Sequence, residues 1–264
     1  MAPIDNLWYG LRGFGRRVFG APGGRAFPEV CMAGSSIIGF IRRILFGEDP
    51  AELGFTPAQI ARKSNTEARL RAQGVTINRG LPFTEDESEV ERRPSTEVLD
   101  RILALSAVSW KALGREGLGA FVETFSVREK LSPREAAYFD DPSPSERDKI
   151  QFSWRCEAAQ ELLWALGVDT GRSAWPASQT HPPAVFSAAI DAAQRLLPEP
   201  RPLPEVLDAL DLIYRCHWAV RNEQVAGNTK IADLDGSVIM ERHHALNWLV
   251  RYSDDDWDDV PTDT

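Results

Sequence analysis

Residues Glu241–Thr264, ERHHALNWLVRYSDDDWDDVPTDT, bring two adjacent histidines, a glutamate, two tryptophans and six aspartates into one short stretch. A carboxylate and an imidazole held together can pass a proton or hold a metal. Glu241-x-x-His244 sets both on one helical face. That spacing is half of the pattern with which di-iron bundles hold their ions, but no second Glu-x-x-His occurs in the chain. A mononuclear site from Glu157, Asp211 and His244 is the most that the residue types allow, so no metal and no cofactor is assigned.

Two earlier stretches carry polar residues where core is expected. In FSWRCEAAQELLWALG, helical spacing puts Trp154, Glu157, Glu161 and Trp164 on one face. In PEVLDALDLIYRCHWAV, apolar nearly all round, Asp208, Asp211 and Arg215 fall at intervals of three and four on one stripe. The last helix aligns Glu241, His244 and Trp248, with Arg242, His243 and Asn247 beside them. Buried charge is costly unless paired, so these stripes must meet each other or a ligand. One reading is an internal network, with Asp211 paired to Arg215 and Glu157 to Arg242 or His244. The other is a polar pocket in which Glu157, Asp211, Arg215, Glu241 and His244 converge, where helical bundles build their sites.

The acidic end, with Trp257, Asp258, Asp259 and Asp263, reads as a clasp: a solvated run of like charge anchored by Trp257 and Val260. Other motifs fail on spacing. DLDG at 233–236 resembles a calcium loop, but its first ligand would be Ile231 and its twelfth Arg242. GLRGFGRRVFG lacks the dinucleotide spacing, and neither a Walker loop nor a GxSxG elbow occurs.

The elements that must position these residues are marked by helix punctuation. TPAQ makes Thr56 an N-cap with Pro57 at the first helical position and Gln59 as capping-box partner, and Gly74 stops that helix. SPRE at 132–135 and SPSE at 143–146 repeat the device, the second opening one long helix over 144–166 that ends at Gly167. Ser95 precedes a helix closing near Gly114; further helices are expected at 184–196, 204–226 and from Ser237 to 252. The segment 84–95 reads as a solvated charged connection, and 167–183 and 198–204 as Gly- and Pro-rich loops. Alternation of the strand type is nearly absent, apart from a possible extended stretch at GVTINRGLPF. The expected fold is all-α, a compact domain of about eight or nine helices, over residues 56–264, carrying a basic, amphipathic extension at 1–55.

Thirty-nine acidic against thirty basic residues give a net charge of -9, which argues against general nucleic-acid binding. Residues 1–47 hold six arginines against Asp5 and Glu29, so the body is more acidic still. Residues 32–46 include Arg42 and Arg43 and could touch a membrane surface weakly, but their apolar run is too short to span. Translation could begin at Met1 or at Met32. Cys31, Cys156 and Cys216 form no metal-binding spacing, and the last two lie in apolar helical patterns, the usage of reduced thiols in a cytoplasmic protein.

SWRCEAAQELLWALG, LDALDLIYRCHWAV, ERHHALNWL and WDDVPTDT, in this order, together with RKSNTEARLRAQGVTINRGLPFTEDESEVERRPSTEVLDRILAL, resemble the family named domain of unknown function 4272, over residues 62–264. The resemblance implies an intracellular, mainly helical bacterial domain. It implies no activity, cofactor or catalytic residue. Function then divides between a non-enzymatic module binding a basic protein partner, as an immunity-type or regulatory protein would, and a small-molecule or metal-binding enzyme using the polar seam.

Overall fold

A computed structural model describes residues 50–196, 199–227 and 231–264. The expectations for residues 1–49, including the membrane-surface contact of 32–46 and the choice of start, lie outside the described residues. All the regular structure among the described residues is helical. The α-helices are α1 (Pro57–Ala72), α2 (Ser95–Ala112), α3 (Leu118–Thr124), α4 (Pro133–Asp140), α5 (Glu146–Ser153), α6 (Arg155–Ala165), α7 (Pro182–Gln194), α8 (Leu203–Val225) and α9 (Gly236–Leu249). Short 3-10 turns occupy Glu87–Glu89 and Val127–Lys130.

Local chemistry sets most boundaries. Thr56 and Ser132 each close a capping box, with Gln59 and Glu135 reaching back to the cap. Three expectations shift. In SPSE the cap is Ser145, whose hydroxyl accepts from Asp148 N, while Ser143 sits in a turn closed by Asp141. The last helix is capped by Asp235, not Ser237, because its carboxylate accepts from both Ser237 N and Val238 N. The single helix expected at 144–166 breaks at Trp154, the shared end of α5 and α6. There the Glu157 amide bonds back only three residues, to Trp154 O at 2.9 Å. Helix α3 carried no sequence signal as clear as these caps.

Helix α2 is the most enclosed element: every residue from Arg101 to Ser109 is buried. It packs on α5, α6 and α7, while α9 lies across α6 and α8, and α1 covers α8. Val98, Ile102, Leu105, Leu162, Leu163, Leu207, Ile213, Ile239 and Leu246 form the shared apolar centre. Burial of that kind supplies most of the driving force for folding.

GVTINRGLPF is extended but pairs with no strand among the described residues. Side chains satisfy its carbonyls instead. Lys63 donates to Arg79 O (2.8 Å) and Leu81 O (2.6 Å), Arg215 to Pro82 O (2.9 Å), Gln59 to Thr84 O (2.9 Å) and Arg62 to Glu85 O (2.9 Å). Burial, followed by the nearby Arg215 charge, pulls the Lys63 pKa down to about 8. Segment 79–85 is thereby fixed against α1 and α8, and it becomes one wall of the cleft described below.

Candidate functional site

The polar positions of the three helices separate into sets with different partners. The first lies between α6 and α9. Arg242, 1% exposed, reaches Glu157 at 3.7 Å and Glu161 at 3.6 Å, and donates to Ser173 O at 2.8 Å. Arg172, from the loop after α6, makes a two-pronged contact with Glu161, one arm at 2.6 Å. Thr180 from the same loop donates its amide and its hydroxyl to Glu157. Two carboxylates and two guanidiniums thus close on themselves. Burial still holds the Glu157 carboxyl above the usual range, against the pull of Thr180 and Arg242.

Asp211 and Arg215, on α8, face the other way. Arg215 donates to both Asp211 oxygens at 2.9–3.1 Å, and Thr84 adds a longer contact at 3.4 Å. Asp208 is exposed and pairs with Arg62 at 3.0 Å, so it leaves the seam. Trp154 is half-buried at the α5–α6 break, and Trp164 packs under the guanidiniums of Arg172 and Arg201.

The third set belongs to the chain's end. Arg155 makes a two-oxygen contact with Glu241 at 2.9 and 3.1 Å, which opposes the upward push of burial on the Glu241 carboxyl. Trp257, 4% exposed, lies against Trp248 and His244 and under Arg101 and Arg155. Arg101 in turn pairs with buried Glu135. Burial pushes the His244 pKa down to about 4, so the ring is neutral near pH 7 and its Nε2–H donates to Trp257 O at 2.8 Å. Asp258 accepts from Ser132 Oγ (2.7 Å) and Arg134 N (2.9 Å), capping α4 a second time. Asn247 donates to Pro261 O at 2.8 Å. Asp259 is exposed.

No hydrogen bond or ion pair among the described residues joins the Glu157 set, the Asp211–Arg215 pair and the Glu241/His244 set. The five residues expected to converge therefore do not share one site. Nor does any group of three or more His, Cys, Asp or Glu among the described residues stand close enough to hold a metal.

What the structure does open is a cleft of about 290 Å³ between segment 82–85, α8, α9 and the chain's end. Pro82, Phe83, Leu210, Tyr214 and Tyr252 give it apolar and aromatic surface; Thr84, Glu85, His243, Asn247 and Asp263 supply polar groups. Behind it His243 and His217 meet Nδ1 to Nδ1 at 2.9 Å. Burial drives their pKa values to about 3 and about 4, so both are neutral near pH 7 and one ring donates to the other. The Glu85 carboxyl is raised by burial and by Glu89, with Arg62 opposing. Burial raises the Tyr252 hydroxyl, and the nearby Glu85 and Asp263 charges add to that push. Neither carboxylate has an ion-pair partner among the described residues. By sequence Glu85 falls in a charged connection, and Tyr214, His217 and Tyr252 carry no signal, since a carboxylate beside a fixed apolar loop has no periodic mark.

The connection at 84–95 is not wholly solvated. Arg93 is buried and donates to Trp248 O (2.8 Å) and Asp255 O (2.9 Å), which ties the acidic run 85–91 alongside the acidic run 254–256. Cys156 and Cys216 are buried, and burial pushes both thiols up to about 12. They should not react with a thiol-disulfide reagent in the native protein and should both react after denaturation, as counted by absorbance and peptide mapping. Labelling of either at a native rate comparable to a free thiol would contradict that burial.

An all-helical domain with its seam carboxylates paired to guanidiniums and an acid-rimmed cleft at the surface is the class that fold and site define. The chain belongs to the family described as a domain of unknown function, DUF4272, whose profile matches residues 62–260. Comparison with curated proteins and with solved structures gives no match. No described helix is long and apolar enough to cross a membrane.

Proposed function

We propose that the protein is a non-enzymatic intracellular module that binds a basic protein partner, and no nucleic acid, on the face where residues 85–91 and 252–263 adjoin. The observation that carries this reading is the placement of charge. Glu87, Glu89, Glu91, Asp254, Asp255, Asp256 and Asp259 are exposed on adjoining segments, and the described cations beside them are few: Arg93 is buried, Arg92 is half-buried and donates to Arg201 O, and Arg251 is already shared by Asp254 and Glu97. A one-signed surface of this kind steers an oppositely charged partner and selects against like-charged ones. The alternative, an enzyme working in the polar seam, has less behind it, because each seam carboxylate is engaged by a guanidinium.

Binding of an arginine- and lysine-rich peptide tests the proposal. It should bind, weaken between about 50 and about 200 mM salt as screening shortens, and be lost when Glu87, Glu91, Asp254 and Asp256 are changed to their amides. Amides at Glu116, Glu123, Glu129 and Asp233, exposed elsewhere, should leave it intact. Equal loss in both variants would show attraction by net charge alone and would overturn the assignment of this face.

A further inference from the structure

We propose that the cleft between segment 82–85, α8, α9 and the chain's end is a recognition site for a single guanidinium group, which Glu85 and Asp263 pair and the rings of Tyr214 and Tyr252 enclose. This deepens the reading above and rests on it: the guanidinium is that of an arginine on the basic partner.

The size of the cleft comes first. At about 290 Å³ it stands at the lower end of ligand pockets, room for one small group and too little for a nucleotide cofactor. Its charge comes second. Glu85 and Asp263 are the only acidic or basic side chains lining it apart from neutral His243, and neither is paired among the described residues. An anion would meet two carboxylates, and a neutral ligand would cover half-buried Glu85 with only the through-space pull of Arg62 to offset its charge. A cation resolves both, and aromatic faces favour it further.

The polar lining narrows the cation to one with several donors. His243 is 2% exposed, and its Nδ1 is taken by His217, so only Nε2 can address an occupant. If His243 donates Nδ1–H to His217, its Nε2 is a bare acceptor; if His217 donates, Nε2 carries the proton. An N–H donor in the cleft selects the first tautomer. Asn247 gives one Nδ2 hydrogen to Pro261 O, which fixes the amide and orients Oδ1 as a further acceptor beside its second N–H. Two carboxylates, an imidazole nitrogen and an amide oxygen match the planar five-donor fork of a guanidinium. That group also loses less hydration than an ammonium on entering an aromatic cleft.

Calorimetric titration with N-acetyl-argininamide, its neutral isostere N-acetyl-citrullinamide, and agmatine tests this. The arginine probe should bind one site at least about tenfold more tightly than the citrulline probe. Glu85→Gln and Tyr252→Ala should each weaken it by a similar factor, and Glu116→Gln should not. Both positions are partly exposed, so folding should survive, as circular dichroism would verify. An arginine-containing basic peptide that binds more tightly than agmatine supports a partner side chain. Agmatine as the tighter ligand would overturn the partner assignment in favour of a free amine. Citrulline binding equal to arginine, or indifference to Glu85→Gln and Tyr252→Ala, would overturn the site. If that happens while the basic peptide still depends on Glu87, Glu91, Asp254 and Asp256, the binding face stands and only the cleft falls; if the peptide also fails to bind, both fall.

Discussion

Arg242→Met should destabilise the protein by about 3–5 kcal/mol, because breaking a buried ion pair leaves its partner charge uncompensated. Among the described residues, Arg242 is the one cation that reaches both Glu157 and Glu161. Arg172 can still neutralise Glu161, but Glu157 keeps only the Thr180 donors. A loss of that size is a large part of the stability of an ordinary domain. The sign with pH follows from Glu157. Its folded carboxyl already sits above the usual range because of burial, and removing Arg242 raises it further. A folded pKa above the unfolded one means that stability is held below the unfolded value and lost as pH rises through the window above it. The deficit of Arg242→Met should therefore be larger near about pH 8 than near about pH 5, and Glu157→Gln should recover part of it. Urea denaturation of the single and double variants measures both effects; a loss below about 1 kcal/mol, the scale of an exposed pair, would contradict the buried network.

Trp257→Ala should cost about 3–5 kcal/mol, the range for deleting a buried aromatic ring. The indole lies over Arg101 and Arg155, which pair with Glu135 and Glu241, while the backbone carbonyl of Trp257 accepts from His244. Removing it admits water to two ion pairs and frees the segment whose Asp258 caps α4. Trp257→Phe, which keeps an aromatic ring beneath both guanidiniums, should recover most of the loss. The measurement is again equilibrium unfolding, joined by hydrogen exchange at Ser132–Glu135, where the amides of α4 should lose protection in step. A Trp257→Ala protein of native stability would mean that the chain's end is not a closing element.

Helix starts follow a local code, so the capping boxes at Thr56 and Ser132 made α1 and α4 legible, and a proline in the first turn, Pro204, did the same for α8 to within a residue or so. The Asp211–Arg215 pair was legible for the same reason, since four residues on a helix are neighbours by geometry. Glu157 with Arg242 was legible only as one option of two, because the register between α6 and α9 is a tertiary matter. What stayed hidden depends on loops and on long-range placement. Arg172 and Thr180 lie in a stretch that reads as Gly- and Pro-rich connection, yet the loop folds back to close the seam. Lys63 has an ordinary place on α1, and nothing local says that it serves the carbonyls of Arg79 and Leu81. His217 and His243 stand on different helices, 26 residues apart. The break at Trp154 was hidden too, since the sequence on both sides of it favours helix.

If the acid-rimmed cleft is the docking site proposed above and the polar seam is scaffold, an occupant will perturb the first and not the second. A titration of labelled protein with an arginine-containing basic peptide, followed by backbone and side-chain NMR shifts, tests it most directly. Shifts should concentrate at Phe83–Glu85, Tyr214, His243, Asn247, Tyr252 and Asp263, fade over 87–91 and 254–256, and leave Glu157, Glu161 and Arg242 unmoved. Shifts centred on those last three, or spread evenly over every acidic surface, would contradict it.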